Sequence, residues 1–128
     1  MIYKIETNTT KKTIENEIEE KAKALGFGVL NAYNFTKILE SKGFPIEQEI
    51  TVFELCNPQG AHDALTNIAE ISVYLPCRLS VYEENGKTIL ATIGFEDILN
   101  TLEVDEAFKA FMFELFENLK KLMLSFDK

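Results

Sequence analysis

The chain has only one histidine, one arginine, two cysteines and three prolines among 128 residues. Each scarcity closes off a class of function. Two cysteines with neither a Cys-x-x-Cys nor a His-x-x-x-His spacing make no zinc motif, since structural zinc takes four ligands and catalytic zinc commonly three. With no export signal, they point to reduced thiols rather than a structural disulfide. Met1-Ile2-Tyr3-Lys4-Ile5-Glu6 has neither the basic start nor the apolar stretch of a signal peptide. Apolar runs stop after a few residues, as at Phe111 to Phe113, so no membrane span is expected and a cytoplasmic location is the default. Gly-x-Gly-x-x-Gly, phosphate-loop and Gly-x-Ser-x-Gly motifs are missing, as are repeats, linkers and low-complexity segments. Positive charge is short as well. A net charge of −8 and a pI near 4.7 repel nucleic acid. The one lysine cluster (Lys11, Lys12, Lys21, Lys23) is interleaved with Glu15, Glu17, Glu19 and Glu20, the pattern of a solvated helix face.

What is present suits one domain. Apolar residues make up 46% of a chain long enough to bury a core without disulfide or metal. Ile2 to Glu6 alternates as a short strand. Asn8-Thr9-Thr10 offers helix caps ahead of Ile14, Ile18, Ala22 and Leu25, an amphipathic stripe that Gly26 closes as the left-handed residue. Phe27 to Tyr33 reads as a second strand, and Asn34 caps a short helix ending at Gly43. Glu49 to Cys56 alternates again, with Ile50, Val52 and the unexpected Glu54 on one face and Thr51, Phe53 and Leu55 on the other. Glu54 is either a buried carboxylate or harmless on an edge strand. Asn57-Pro58 starts a helix to about Ala69, with Ala61, Leu65 and Ile68 on one stripe. Ile71 to Leu75 is strand or turn. Asn85-Gly86 joins Leu79–Tyr82 to Thr88–Ala91 as a hairpin, because a type I′ turn needs two residues of positive φ. A last helix runs from about Val104 to Phe126. The fold class is α+β.

That last helix is unusually apolar. Phe108, Met112, Leu115, Leu119, Leu122 and Phe126 form a heptad seam, while Phe111, Phe113, Phe116, Met123 and Leu124 lie beside or opposite it. Either the helix is buried deep in its own domain, or the seam docks a second copy, a partner or an apolar ligand; a homodimer is the expectation.

The scarce reactive residues are concentrated. Both cysteines, the histidine and the arginine fall within the 23 residues from Cys56 to Arg78, as do Pro58 and Pro76. Cys56 ends a strand beside a helix start, where partial positive charge favours thiolate. His62 lies one turn past Pro58 and points either at the thiol or into the sheet. Cys77 and Arg78 are strand neighbours and face opposite ways. Three readings stand side by side. Cys56, His62 and Cys77 are ligands of a metal or redox cluster; Cys56 is a nucleophile with His62 as base and helix N–H groups receiving an oxyanion; or both thiols are small buried hydrophobes beside a structural histidine.

At these residues the chain resembles DUF302, a family of unknown function. The resemblance is carried by Leu25-Gly26-Phe27-Gly28-Val29-Leu30, Leu55-Cys56-Asn57-Pro58 with Ala61-His62, Leu75-Pro76-Cys77-Arg78 and Val81-Tyr82-Glu83. It spans roughly residues 22–95, with the Phe-rich C-terminal helix outside the best match. It implies a single two-layer domain over 1–128, a curved and mostly antiparallel sheet with helices on one side, and a dimer. It implies no activity or cofactor, but marks Cys56, Asn57, Pro58, His62, Pro76 and Cys77 as motif positions. The expectation is a dimeric, non-catalytic binding or sensing domain with Cys56, Asn57, His62, Cys77 and Arg78 at the pocket, taking a small apolar or thiol-reactive ligand. The alternatives are a thiol enzyme or sulfur carrier using Cys56 and His62, and an interaction module acting through the last helix.

Overall fold

The computed structural model describes residues 2–94 and 105–127. Five strands form one antiparallel sheet in the order β1-β5-β4-β3-β2. The chain runs β1 (Ile2–Thr7), α1 (Lys11–Ala24), β2 (Gly28–Asn34), α2 (Phe35–Ser41), β3 (Ile50–Cys56) and α3 (Pro58–Asn67). A 3-10 helix (Ala69–Tyr74), β4 (Cys77–Glu84), β5 (Lys87–Ile93) and α4 (Glu106–Leu124) follow.

Local chemistry sets the element ends. The Thr10 side chain accepts from Thr13 N at the start of α1, Asn34 from Lys37 N at α2 and Asn57 from Gly60 N at α3. Gly26 (φ +86°) and Gly43 (φ +87°) take the left-handed positions after α1 and α2. Asn85 (φ 53°) and Gly86 (φ 76°) make the tight turn between β4 and β5. The ambiguous stretch before Leu75 is 3-10 helix, and α3 stops at Asn67, two residues short of the expectation.

Alternation divides the sheet into a face that carries the core and an opposite face. Phe53, Leu55, Leu79, Val81 and Leu90 point inward and share one core with Ile14, Ile18 and Ala22 of α1, Ala64 of α3 and the buried side of α4. From that side of α4, Phe108, Met112, Leu119 and Leu122 reach the core, as does Phe126 just beyond the helix, with Leu115 packed against them. Phe116 and Met123 are buried too. The heptad seam therefore faces the protein's own sheet, while Phe113 and Leu124 on the other side of the helix stay exposed. Threonine hydroxyls of Thr7 and Thr9 both donate to Phe126 O (2.7 and 2.6 Å), and Lys21 Nζ donates to Ser125 O (2.9 Å), so the N-terminal segment closes the C-terminal end of α4. Among the described residues no helix is long and apolar enough to cross a membrane.

Candidate functional site

The motif segments converge at one end of the sheet. β2 begins where β3 ends, with Gly28 paired to Cys56, and β4 begins opposite Leu55, which pairs with Cys77. Gly26 sits against Asn57: a Cβ there would lie 3.1 Å from Asn57 Nδ2, in a backbone conformation (φ +86°) that already favours glycine. Asn57 Oδ1 accepts from Gly60 N at 2.8 Å and fixes the start of α3.

Between these segments and α4 lies a cavity of about 200 Å³. Both cysteines line it, together with Phe27, Leu55, Leu75 and Met112, and its exposed wall is apolar. Leu30 and Leu65, 57% and 43% exposed, continue that wall toward solvent. Burial, reinforced by the neighbouring Cys56, pushes the Cys77 thiol up to about 11, so Cys77 is a neutral thiol at ordinary pH. Both cysteines are free and partly buried.

The structure separates what the sequence grouped. Cys56, Asn57 and Cys77 share the cavity; His62 and Arg78 do not line it. Helix phase is the reason for His62. The buried residues of α3 are Gly60 and Ala64, one position off the expected stripe of Ala61, Leu65 and Ile68. His62 lies two residues, about 200° of helix, from Gly60. Its side chain is 76% exposed, with Nδ1 at 3.0 Å from Asp63 Oδ1. Among the described residues no three His, Cys, Asp or Glu side chains are placed to hold a metal ion.

Arg78 projects from the opposite face, as strand alternation requires. It pairs across the strands with Glu54 (Nη2–Oε2 3.7 Å), the odd carboxylate of β3, which is 8% exposed on an interior strand. Tyr33 OH donates to Glu54 Oε1 at 2.8 Å and Asn31 Nδ2 at 3.2 Å. The hydrogen bond to the carboxylate raises the Tyr33 phenol pKa. A register shift between Val29 and Asn31 is what brings Asn31 and Tyr33 to this face. Nothing in the local sequence marks that bulge, so the two partners of Glu54 are not legible from the residues alone.

The profile described as Domain of unknown function DUF302 matches residues 3–126. The chain belongs to the DUF302 family. The match includes α4, so the Phe-rich helix is part of the DUF302 domain and not an addition outside it. A solved structure of an uncharacterized conserved DUF302 protein from Bacillus stearothermophilus is similar over 95% of this chain and 94% of that one. Its TM-score is 0.86 and its sequence identity 29%. Comparison with curated proteins gives no match.

Proposed function

We propose that this DUF302 domain is a small-molecule binding module whose ligand is apolar and occupies the cavity at the end of β3 and β4. The observation that carries this is convergence: three separated motif segments, containing Gly26, Cys56, Asn57 and Cys77, meet around one apolar hollow. Its volume of about 200 Å³ exceeds the roughly 150 Å³ of an engineered apolar cavity able to hold benzene. An apolar wall with the neutral Cys77 thiol recognises shape and hydrophobicity, and gives little to a charged ligand. The two sulfurs also favour a second reading, a ligand with a leaving group on a soft electrophilic carbon: a cysteine on the wall forms the C–S bond as the leaving group departs, and the thiol proton passes to solvent. His62, turned to solvent against Asp63, gives no support to a histidine-assisted version of that chemistry.

The test is an NMR titration with toluene. Methyl signals of Leu55 and Ala64 are expected to shift saturably, and Ala64→Leu, which fills the cavity, to weaken binding by about tenfold or more. Equal affinity in a folded Ala64→Leu variant sinks the assignment. Mass spectrometry after exposure to an alkyl halide separates the covalent reading from simple binding.

A further inference from the structure

The face of the sheet turned away from the core bears a feature with no part in the cavity. The well-exposed Ile2 (64%) and Ile93 (56%) pair across β1 and β5, and together with Val52, Ser80 and Ala91 of the adjoining row they line a shallow groove of about 210 Å³ with an apolar surface. Arg78 closes one side of that groove. It also borders a smaller hollow of about 90 Å³ at the strand ends, formed with Val73, Tyr74, Pro76, Cys77, Thr92 and Ile93. This arginine is the only one in the chain, and its side chain is 59% exposed.

Glu54 holds Arg78 in place without consuming its donors. The carboxylate is fixed through Oε1 by Tyr33 and Asn31, and its other oxygen lies 3.7 Å from a single guanidinium nitrogen. At that separation the contact is electrostatic and not a hydrogen bond. A guanidinium has five N–H donors in a planar fork, and among the described residues none is seen donating to a side chain or backbone oxygen. A positioned cation with unused donors, set between apolar surfaces, is built to meet an anion that carries an apolar group.

We propose that this face binds a medium-chain monocarboxylate, with its head on Arg78 and its chain along the groove beside Ile93 and Ile2. The carboxylate matches the guanidinium fork bidentately. One negative charge fits better than two, because Glu54 stands beside Arg78 and the protein carries a net charge of −8. The site is separate from the cavity: Cys77 and Arg78 adjoin in β4 but face opposite sides of the sheet.

Calorimetric titration with decanoate below its micelle concentration tests the assignment, alongside decanol and decyl phosphate. Saturable binding of decanoate at one site, weakened about tenfold or more by Arg78→Gln and unchanged by Ala64→Leu, supports it. Glu54→Gln keeps the arginine and removes the competing charge, so it is expected to tighten binding severalfold while circular dichroism confirms the fold. Decanol binding as tightly as decanoate overturns the anion site, and tighter binding of decyl phosphate overturns the preference for a single charge. Loss of decanoate binding in Ala64→Leu would place the ligand in the inner cavity instead. Sedimentation showing a dimer that Ile93→Glu dissociates would assign the groove to a second copy of the chain and refute the proposal. Failure of toluene binding leaves these outcomes unaffected, since the two sites lie on opposite faces.

Discussion

Alkaline pH should destabilise this protein through one thiol. Cys77 is held neutral by burial, with a further push from Cys56, and its pKa rises from 9.0 to about 11. Below about pH 9 both folded and unfolded chains keep the proton, and the stabilising preference for the neutral thiol is fully present. Between about pH 9 and pH 11 the unfolded chain releases the proton while the folded chain retains it, so stability falls as pH rises. Two units at roughly 1.4 kcal/mol each set a ceiling of about 3 kcal/mol on the loss. Urea unfolding of the wild type and Cys77→Ala at intervals from about pH 8 to 11 isolates the effect, because other titrating groups are common to both. The stability difference should shift against the wild type by up to about 3 kcal/mol across that window. A difference that stays constant within about 0.5 kcal/mol refutes the reasoning, for it would mean that the Cys77 site does not exclude charge.

Three further expectations rest on the same packing. Leu119, fully buried on α4, should cost about 3 kcal/mol or more in thermal or urea unfolding when replaced by alanine, whereas a helix held only by a second copy would lose dimer affinity instead. Gly26→Ala should cost about 1–2 kcal/mol, since it forces an L residue to φ +86° and places its Cβ 3.1 Å from Asn57 Nδ2; an unchanged midpoint would show that the turn relaxes freely. His62→Ala should leave the rate of Cys56 alkylation within about twofold of wild type, and a tenfold fall would restore His62 as a base.

Much of the fold is legible in the sequence because its signals are local. Asn57-Pro58 can cap and begin a helix wherever it occurs, Asn85-Gly86 supplies both positive φ angles of a tight turn, and Thr51, Phe53 and Leu55 alternate with Val52 and Glu54 whatever lies beside them. The same alternation puts Cys77 and Arg78 on opposite faces by strand geometry alone. Helix α3 is less legible. In so short a helix, Ala61-Leu65-Ile68 and Gly60-Ala64 are competing stripes, and hydrophobicity favours the former. Close approach to α4 selects the smaller residues: a Cβ on Gly60 would meet Leu115 Cδ1 at 2.5 Å. That choice turns His62 to solvent.

By itself the sequence determined the α+β class, most element ends, the family, and the segment in which the reactive residues are concentrated, because each depends on side-chain chemistry and short-range backbone geometry. Tertiary structure decided what those residues are near. It drew Cys56 and Cys77 into one apolar cavity, turned the α4 seam onto its own sheet, and gave Glu54 its partners through a bulge at the start of β2. Such outcomes depend on register and helix phase between segments far apart in the chain, and a one-residue shift in either reverses which face a side chain occupies.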